Sequence, residues 1–377
     1  MMTSDDALKN AISPPESESA KAAFTSYAGA ARREIDRAIS LYFDALDGEQ
    51  AQLSMNADLA PVLAALRALV ERGGKRLRGV FLTAAYEACG GESRAAIVPA
   101  LVSFELLQGY LLVHDDWIDE DDVRRGGPTV HAALGKTFET KREAEIFAVL
   151  AGDFASALSL GALCDCAVPE ARIARATKAM ATLLRNVVLG QMFDVRGTVQ
   201  RQTDDYRAAI DRVYELKTAS YTVTGPLAIG AILAGASDSQ VAQLHAVARP
   251  LGIMFQLRDD LLGVFGDPSV TGKSDSSDLR QGKFTALIVE AAGDPKVVAE
   301  LTLLQRAHAS GTSDADLDAL VSSLRQRIVA SGAKIRMEQR ISDLFREAER
   351  AIESAQLTRR GKQLLLGAAE VIGGRNQ

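Results

Sequence analysis

The sequence predicts an all-α fold, a bundle of long helices around a central apolar cavity. Three observations carry this. From Phe24 onward apolar residues recur at helical spacing, and several stretches hold that spacing for 20 residues or more. Glycine- and proline-containing breakers fall between these stretches. The chain also lacks the succession of short β-branched runs between glycines that a sheet would need. Helices this long bury their apolar faces against one another and enclose sites in the bundle core.

Taken in order, the pattern predicts a first helix over 21–47, closed by Asp47-Gly48, a second over 58–71, closed by Gly73-Gly74, and a third over 76–89, closed by Gly90-Gly91. A long apolar helix over 94–119 runs into Gly126-Gly127-Pro128. Helices over 141–164, 169–196, 203–223, 226–235 and 238–263 follow, with Gly235 and Gly266-Asp267-Pro268 as stops. Shorter periodic stretches at 283–292, 296–308, 314–331, 334–355 and 359–372 complete the chain. Residues 21–377 read as a single domain. The first 20, rich in Ser, Asp, Glu and Pro, read as a disordered lead-in without the apolar core of a signal peptide.

The net charge of −6 and pI of about 5.5 speak against nucleic acid or anionic membrane as a general partner, so an anionic substrate needs local cations or a metal. Cys89, Cys164 and Cys166 supply neither a four-ligand zinc set nor an even disulfide framework, and are expected as reduced packing residues in a cytoplasmic protein. Eighteen uninterrupted apolar residues occur nowhere, so no membrane span is expected.

Two carboxylate clusters end apolar helical stretches 144 positions apart. In the first, Asp115 and Asp119 are four apart and share a helix face, with Asp116 beside them. Such crowded like charges are best tolerated around a hard dication, and Mg²⁺, which usually bridges carboxylates to substrate phosphates, fits. The second is Phe255-Gln256-Leu-Arg-Asp259-Asp260, where Gln256 lies three residues before Asp259 and on its face. Around them stand candidate phosphate-binding cations. Gly73-Gly-Lys75-Arg76-Leu-Arg78-Gly79 places three cations at a helix start, where free N–H groups also favour an anion. A solvated basic helix end is the plainer reading. Arg124 and Arg125 suit bidentate phosphate recognition, or simple salt bridges to Glu120, Asp121 and Asp122. Lys217-Thr218 on a long helix could equally be a surface pair. Lys273 and Lys283 bracket a polar loop that would make a lid or remain a solvated loop. His114 reads as packing. No nucleophilic triad, Walker loop or dinucleotide fingerprint competes.

Together these motifs resemble the trans-type isoprenyl diphosphate synthases, the polyprenyl synthetase family. The resemblance runs from about Arg32 to Gly374. It rests on Gly-Gly-Lys-Arg-x-Arg-Gly at 73–79, Asp-Asp-x-x-Asp-x-x-x-x-Arg-Arg-Gly at 115–126, Pro-Thr-Val-His at 128–131, Gly-Asp-Phe at 152–154, Gly-Gln at 190–191, Lys-Thr at 217–218 and Phe-Gln-x-x-Asp-Asp at 255–260. It implies the isoprenoid synthase helical bundle, commonly a homodimer. It further implies Mg²⁺-dependent condensation of isopentenyl diphosphate with an allylic diphosphate (dimethylallyl, geranyl or farnesyl). Lys75, Arg78 and Arg125 resemble the family's isopentenyl diphosphate contacts, and Arg124 an allylic diphosphate contact. Asp115, Asp116 and Asp119 would hold two Mg²⁺ ions and Asp259 a third, with Mn²⁺ as a substitute ion. Lys217, Thr218, Gln256, Lys273 and Lys283 match positions around the allylic diphosphate.

Two positions depart from the pattern. Gly263 stands where the second motif has its last Asp, so Asp259 lacks a carboxylate one turn on, and a weaker third metal is expected. Gln108 replaces a His common in the family; it still donates a hydrogen bond but cannot become charged. In this family side chains just upstream of the first Asp motif floor the chain pocket, here Leu107, Tyr110 and Leu111. Tyr110 is expected to limit the product to geranylgeranyl diphosphate, with farnesyl diphosphate or a longer product as the alternative. Three other readings are weaker. A helical di-metal oxidase would need Glu-x-x-His pairs, which neither Asp cluster supplies. A regulatory subunit of a heteromeric synthase could have shed motifs that remain here. A terpene cyclase would not need Lys75, Arg78 and Arg125.

Overall fold

Apolar stripes decide the architecture. The computed structural model describes residues 19–50, 56–196, 205–266, 277–280 and 282–374; the expected lead-in and Lys273 lie outside the described residues. Its helices are α1 (Ala20–Gln50), α2 (Asn56–Glu71), α3 (Leu77–Ala88), α4 (Val98–Ile118), α5 (Val130–Leu134), α6 (Lys141–Cys164), α7 (Glu170–Arg196) and α8 (Tyr206–Tyr214). After a π-helical segment (Glu215–Thr224) come α9 (Gly225–Ala234), α10 (Asp238–Phe265), α11 (Ser277–Arg280), α12 (Ala286–Ala291), α13 (Pro295–Ala309), α14 (Asp314–Ala330), α15 (Ala333–Ser354) and α16 (Arg359–Gly373). On α1 the buried set Phe24, Tyr27, Ala31, Ile35, Ile39, Phe43 and Leu46 recurs at three- and four-residue steps, the stripe of a helix with one core face. Helix α4 differs. Every residue from Ala100 to Gly109 is buried, so it runs through the middle of the bundle and emerges from the core only near its C-terminal end, where the first aspartates sit.

Helix α4 lies along α6, and Ser103 Oγ donates across to Ser159 O at 2.7 Å. Helix α3 packs on α9, where Gly230 permits near-backbone contact: a Cβ there would fall 2.2 Å from Leu82 O. Helix α10 packs against α15 and the π segment, and α16 closes on α1. Two helical stretches, Arg94–Ile118 and Lys141–Cys164, are long and apolar enough to cross a membrane. They pack against each other here, although Ile146 and Leu150 of α6 remain 44% and 53% exposed. All three cysteines are free thiols.

The structure departs from the sequence expectation in three places. Residues 123–128 form a small antiparallel hairpin, β1 (Val123–Arg124) with β2 (Gly127–Pro128), paired Val123 to Pro128 and Arg124 to Gly127. Its two turn residues, Arg125 and Gly126, have φ of 52° and 72°, the both-positive pattern that turns a two-residue hairpin tightly. Arg72 Nη1 clamps both strands, donating to Arg124 O at 2.9 Å and Pro128 O at 2.8 Å. The expected break between 223 and 226 does not occur: Thr224 and Gly225 stay helical and Gly225 N–H bonds Ser220 O, five residues back. Pro226 falls in the first turn of α9, directly after the π segment, a position where a proline's missing N–H is tolerated. Finally, the helix expected from 283 begins at Ala286, leaving Lys283 on the preceding loop.

Candidate active site

The C-terminal end of α4 carries the first three aspartates, of which Asp115 lines a cavity of about 570 Å³. Lys217, from the π segment, stands 3.4 Å from Asp115 and 2.6 Å from Asp194 of α7. Gln191, three residues before Asp194, donates to Asp115 Oδ1 at 3.1 Å. Lys283, on the loop before α12, reaches Asp119 at 2.8 Å. Asp116 is fully buried and accepts from Arg124 Nε at 2.7 Å, while its Oδ2 has no hydrogen-bond partner. The hairpin thus returns Arg124 to the helix that precedes it.

Environment separates the three carboxyls. Burial pushes Asp116 up to about 6 against the pull of Arg124, and raises Asp119 despite Lys283. At Asp115 burial acts the same way, but Lys217, Lys283 and Arg124 outweigh it and hold the carboxyl below its ordinary value. Among the described residues no three His, Cys, Asp or Glu side chains close around one point as a metal cage. The donors fit Mg²⁺ nonetheless, because that ion keeps waters and takes only one or two carboxylates together with substrate phosphates. An orphaned Asp116 oxygen and two partly exposed neighbours, with cations close by, form such a half-site.

On α10, Asp259 is partly exposed and Asp260 buried. Asp260 receives Tyr214 Oη at 2.5 Å, Gln256 Nε2 at 3.0 Å and the Ala286 N–H at 3.2 Å. Four residues before Asp260 on the helix, Gln256 gives its amide N–H to that carboxylate, a contact not expected from its spacing to Asp259. The second aspartate of the pair anchors the start of α12 and, with it, the loop that carries Lys283 to Asp119. The two carboxylate clusters are therefore tied together through that loop. The roles of Asp260, Tyr214, Gln191 and Asp194 were not assigned from sequence, although the Gly-Gln motif at 190–191 and the Asp-Asp pair at 259–260 signalled two of them.

The basic loop ahead of α3 is set by backbone conformation. Gly73, Gly74 and Arg76 have φ of 85°, 147° and 49°. Arg76 is buried, donating to Asp36 at 2.8 Å, Glu105 at 2.7 Å and Val70 O at 2.9 Å, so one of the loop's three cations is internal. Arg125 donates to Gly73 O and lies over Gly74, where a Cβ would come within 3.3 Å of its guanidinium carbon. Arg78 reaches Thr222 Oγ1 at 3.2 Å and stacks on Tyr221, 4.4 Å from the ring centre. Lys75 is exposed. Gln108 is buried, with its Oε1 unpartnered, one helical turn after Glu105. Thr218 follows Lys217 in the π segment.

Tyr110, Leu111, His114 and Ile118 of α4 form one wall of the cavity, with Val187, Val188 and Met192 of α7 among those opposite and Tyr221 near Arg78. Leu107 corrects the expected floor. It is fully buried in the hydrophobic core and outside the cavity lining, because the first half of α4 is enclosed on all sides.

A helical bundle presenting two tied aspartate clusters, a ring of cations and an apolar-walled cavity defines a class of protein that handles a diphosphate with a long apolar tail. The polyprenyl synthetase family model matches residues 60–323, and the chain belongs to that family. It is similar to geranylgeranyl pyrophosphate synthase from Corynebacterium glutamicum, whose crystal structure holds isoprenyl diphosphate and magnesium. That likeness has a TM-score of 0.80 and 30% identity, and covers 91% of this chain and 98% of the other. The geranylfarnesyl diphosphate synthase of Aeropyrum pernix is 34% identical over 229 residues, 59% of this chain and 68% of the relative. The (2E,6E)-farnesyl diphosphate synthase of Mycobacterium tuberculosis is 38% identical over 212 residues, 56% of this chain and 55% of the relative.

Proposed function

We propose that this protein is a trans-prenyltransferase that joins isopentenyl diphosphate head-to-tail to an allylic diphosphate. The observation that carries this reading is the cluster of Asp115, Asp116 and Asp119 with Lys217, Lys283 and Arg124 around it, Asp115 and Lys217 lining an apolar-walled cavity. Asp115, Asp119 and Asp259, with Asp116 in support, would hold Mg²⁺, three ions with substrate bound or Mn²⁺ in their place, and the ions would supply positive charge against the departing diphosphate. Lys217, Lys283 and Arg124 would surround that leaving group, with Thr218 beside it; Lys273 is assigned to the same group from the motif match alone. Their charges favour ionisation of the allylic C–O bond over the intact substrate. Lys75, Arg78 and Arg125, with Gln108 as a hydrogen-bonding neighbour, orient isopentenyl diphosphate so that its double bond faces the allylic cation. Tyr110, Leu111 and Ile118 keep water from that cation. The new C–C bond forms as the double bond attacks, and the proton lost in restoring a double bond passes to the released diphosphate.

Tyr110 in the cavity wall favours geranylgeranyl diphosphate as the product. The relatives span farnesyl, geranylgeranyl and geranylfarnesyl products, so farnesyl diphosphate or a longer chain is the second reading. Exposed Ile146 and Leu150 on α6 suit burial in a homodimer, and the reduced cysteines suit the cytoplasm. The test is incubation of purified protein with Mg²⁺, isopentenyl diphosphate and each allylic starter, with products resolved by length. Elongation to a dominant geranylgeranyl product is expected. No elongation with any starter would overturn the reading in favour of a subunit that needs a partner.

A further inference from the structure

His114 has no part in the chemistry above, yet it lines the cavity one helical turn beyond Tyr110. The two rings meet edge to face, with centres 4.8 Å apart and planes at 69°. Behind His114 lies a single turn of α6. The imidazole Nε2 donates to Val149 O at 3.1 Å, and Asp153 stands 3.6 Å from the same nitrogen. Between those two positions is Gly152, buried, where a Cβ would fall 2.5 Å from Nε2 and 2.6 Å from Cδ2. Real carbon atoms do not approach that closely, so any side chain at 152 must drive the ring out of its seat. Helix α6 fills the space behind the ring, which leaves movement toward Tyr110 and the cavity.

We propose that Gly152 and His114 form a buttress behind Tyr110 that sets the depth of the prenyl pocket, making residue 152 a specificity determinant although it does not touch the cavity. This rests on the prenyl-transfer reading. The glycine gives His114 a fixed seat, the Val149 carbonyl sets its orientation, and the seated ring holds Tyr110 at one position in the wall. Removing the imidazole lets Tyr110 fall back and deepens the pocket; adding a methyl at 152 pushes both rings inward and makes it shallower. The two changes therefore act in opposite directions, and the second works only through the first.

The test is a cycle of Gly152→Ala, His114→Ala and the double variant, which removes the ring that the added methyl would strike and so guards against misfolding of the single variant. Two readouts are taken on the full chain. One is the product distribution with dimethylallyl diphosphate as starter. The other is calorimetric binding of geranyl, farnesyl and geranylgeranyl diphosphates with Mg²⁺, which reports pocket depth independently of turnover. For Gly152→Ala we expect the dominant product to shorten by one five-carbon unit and the longest tail to lose about tenfold in affinity relative to the shortest, a small part of what burying five carbons contributes. His114→Ala should lengthen the product, and the double variant should match His114→Ala. If Gly152→Ala shortens the product equally with and without His114, or leaves both readouts unchanged, the buttress is wrong. A wild-type chain that binds tails in graded fashion but does not elongate would instead sink the catalytic reading while leaving the pocket result to stand or fall on the binding data.

Discussion

Asp115 and Arg76 show how differently two charged residues of neighbouring motifs are used. Asp115 keeps partial access to solvent, and the cations Lys217, Lys283 and Arg124 hold it ionised, the state in which it can ligate a metal. Asp115→Ala should lower kcat by about 1,000-fold or more, the scale of losing a group that stabilises transition-state charge, while circular dichroism stays unchanged. A kcat within tenfold of wild type would remove it from the site. Arg76 is 4% exposed and sits in the left-handed region at φ 49°, held by Asp36, Glu105 and Val70 O. Arg76→Ala strands Glu105 as an uncompensated buried charge, and urea titration should show a loss of roughly 3–5 kcal/mol. A loss below about 1 kcal/mol would mean that Glu105 finds another partner. From charge and spacing alone the two arginines of Lys-Arg-x-Arg were equivalent cations, and it was the family resemblance that singled out Arg78. The fold shows that Arg76 turns inward and Arg78 toward Thr222 and Tyr221. Cysteine accessibility separates in the same way: Cys164 is exposed, whereas burial pushes the Cys89 and Cys166 thiols up to about 11. Ellman's reagent should titrate one thiol rapidly in the native state and all three after denaturation.

At the scale of elements, α4 is the one whose pattern said most. Its predominantly apolar sequence, broken by Glu105 and Gln108, marked a long helix, and its terminal aspartates a site at its end. Which of its residues line the pocket was harder to read, because a helix enclosed on all sides has no distinguishing stripe. Hence Leu107 belongs to the core while Tyr110 and Leu111 reach the cavity. Tyr110→Ala should lengthen the product by at least one isoprene unit, measured with farnesyl diphosphate as starter. An unchanged distribution would place the floor elsewhere. The hairpin and the π segment were not legible for a related reason. Arg125 at φ 52° is an uncommon residue for a tight turn, and the π register just ahead of Pro226 is decided by how Gly225 and its neighbours pack.

The whole molecule works by bringing together parts far apart in the chain. Lys283 and Asp119 are 164 positions apart, and Lys217 approaches Asp115 and Asp194 from a third helical segment. If the exposed apolar residues of α6 are covered by a second copy, Leu150→Asp should convert a dimer to a monomer in light scattering; an unaltered mass would point to another interface or to none. The long helices, most of their stops, the two aspartate motifs and the clustered cations were determined by sequence, because periodicity, glycine placement and clustered charge are local properties. Tertiary structure alone decided that Gln256 serves Asp260, that Asp260 and Tyr214 anchor the loop bearing Lys283, and that Gly152 seats His114 behind Tyr110. Each of these depends on which side chain finds a partner across a helix–helix contact, and neither periodicity nor charge along one strand of sequence carries that information.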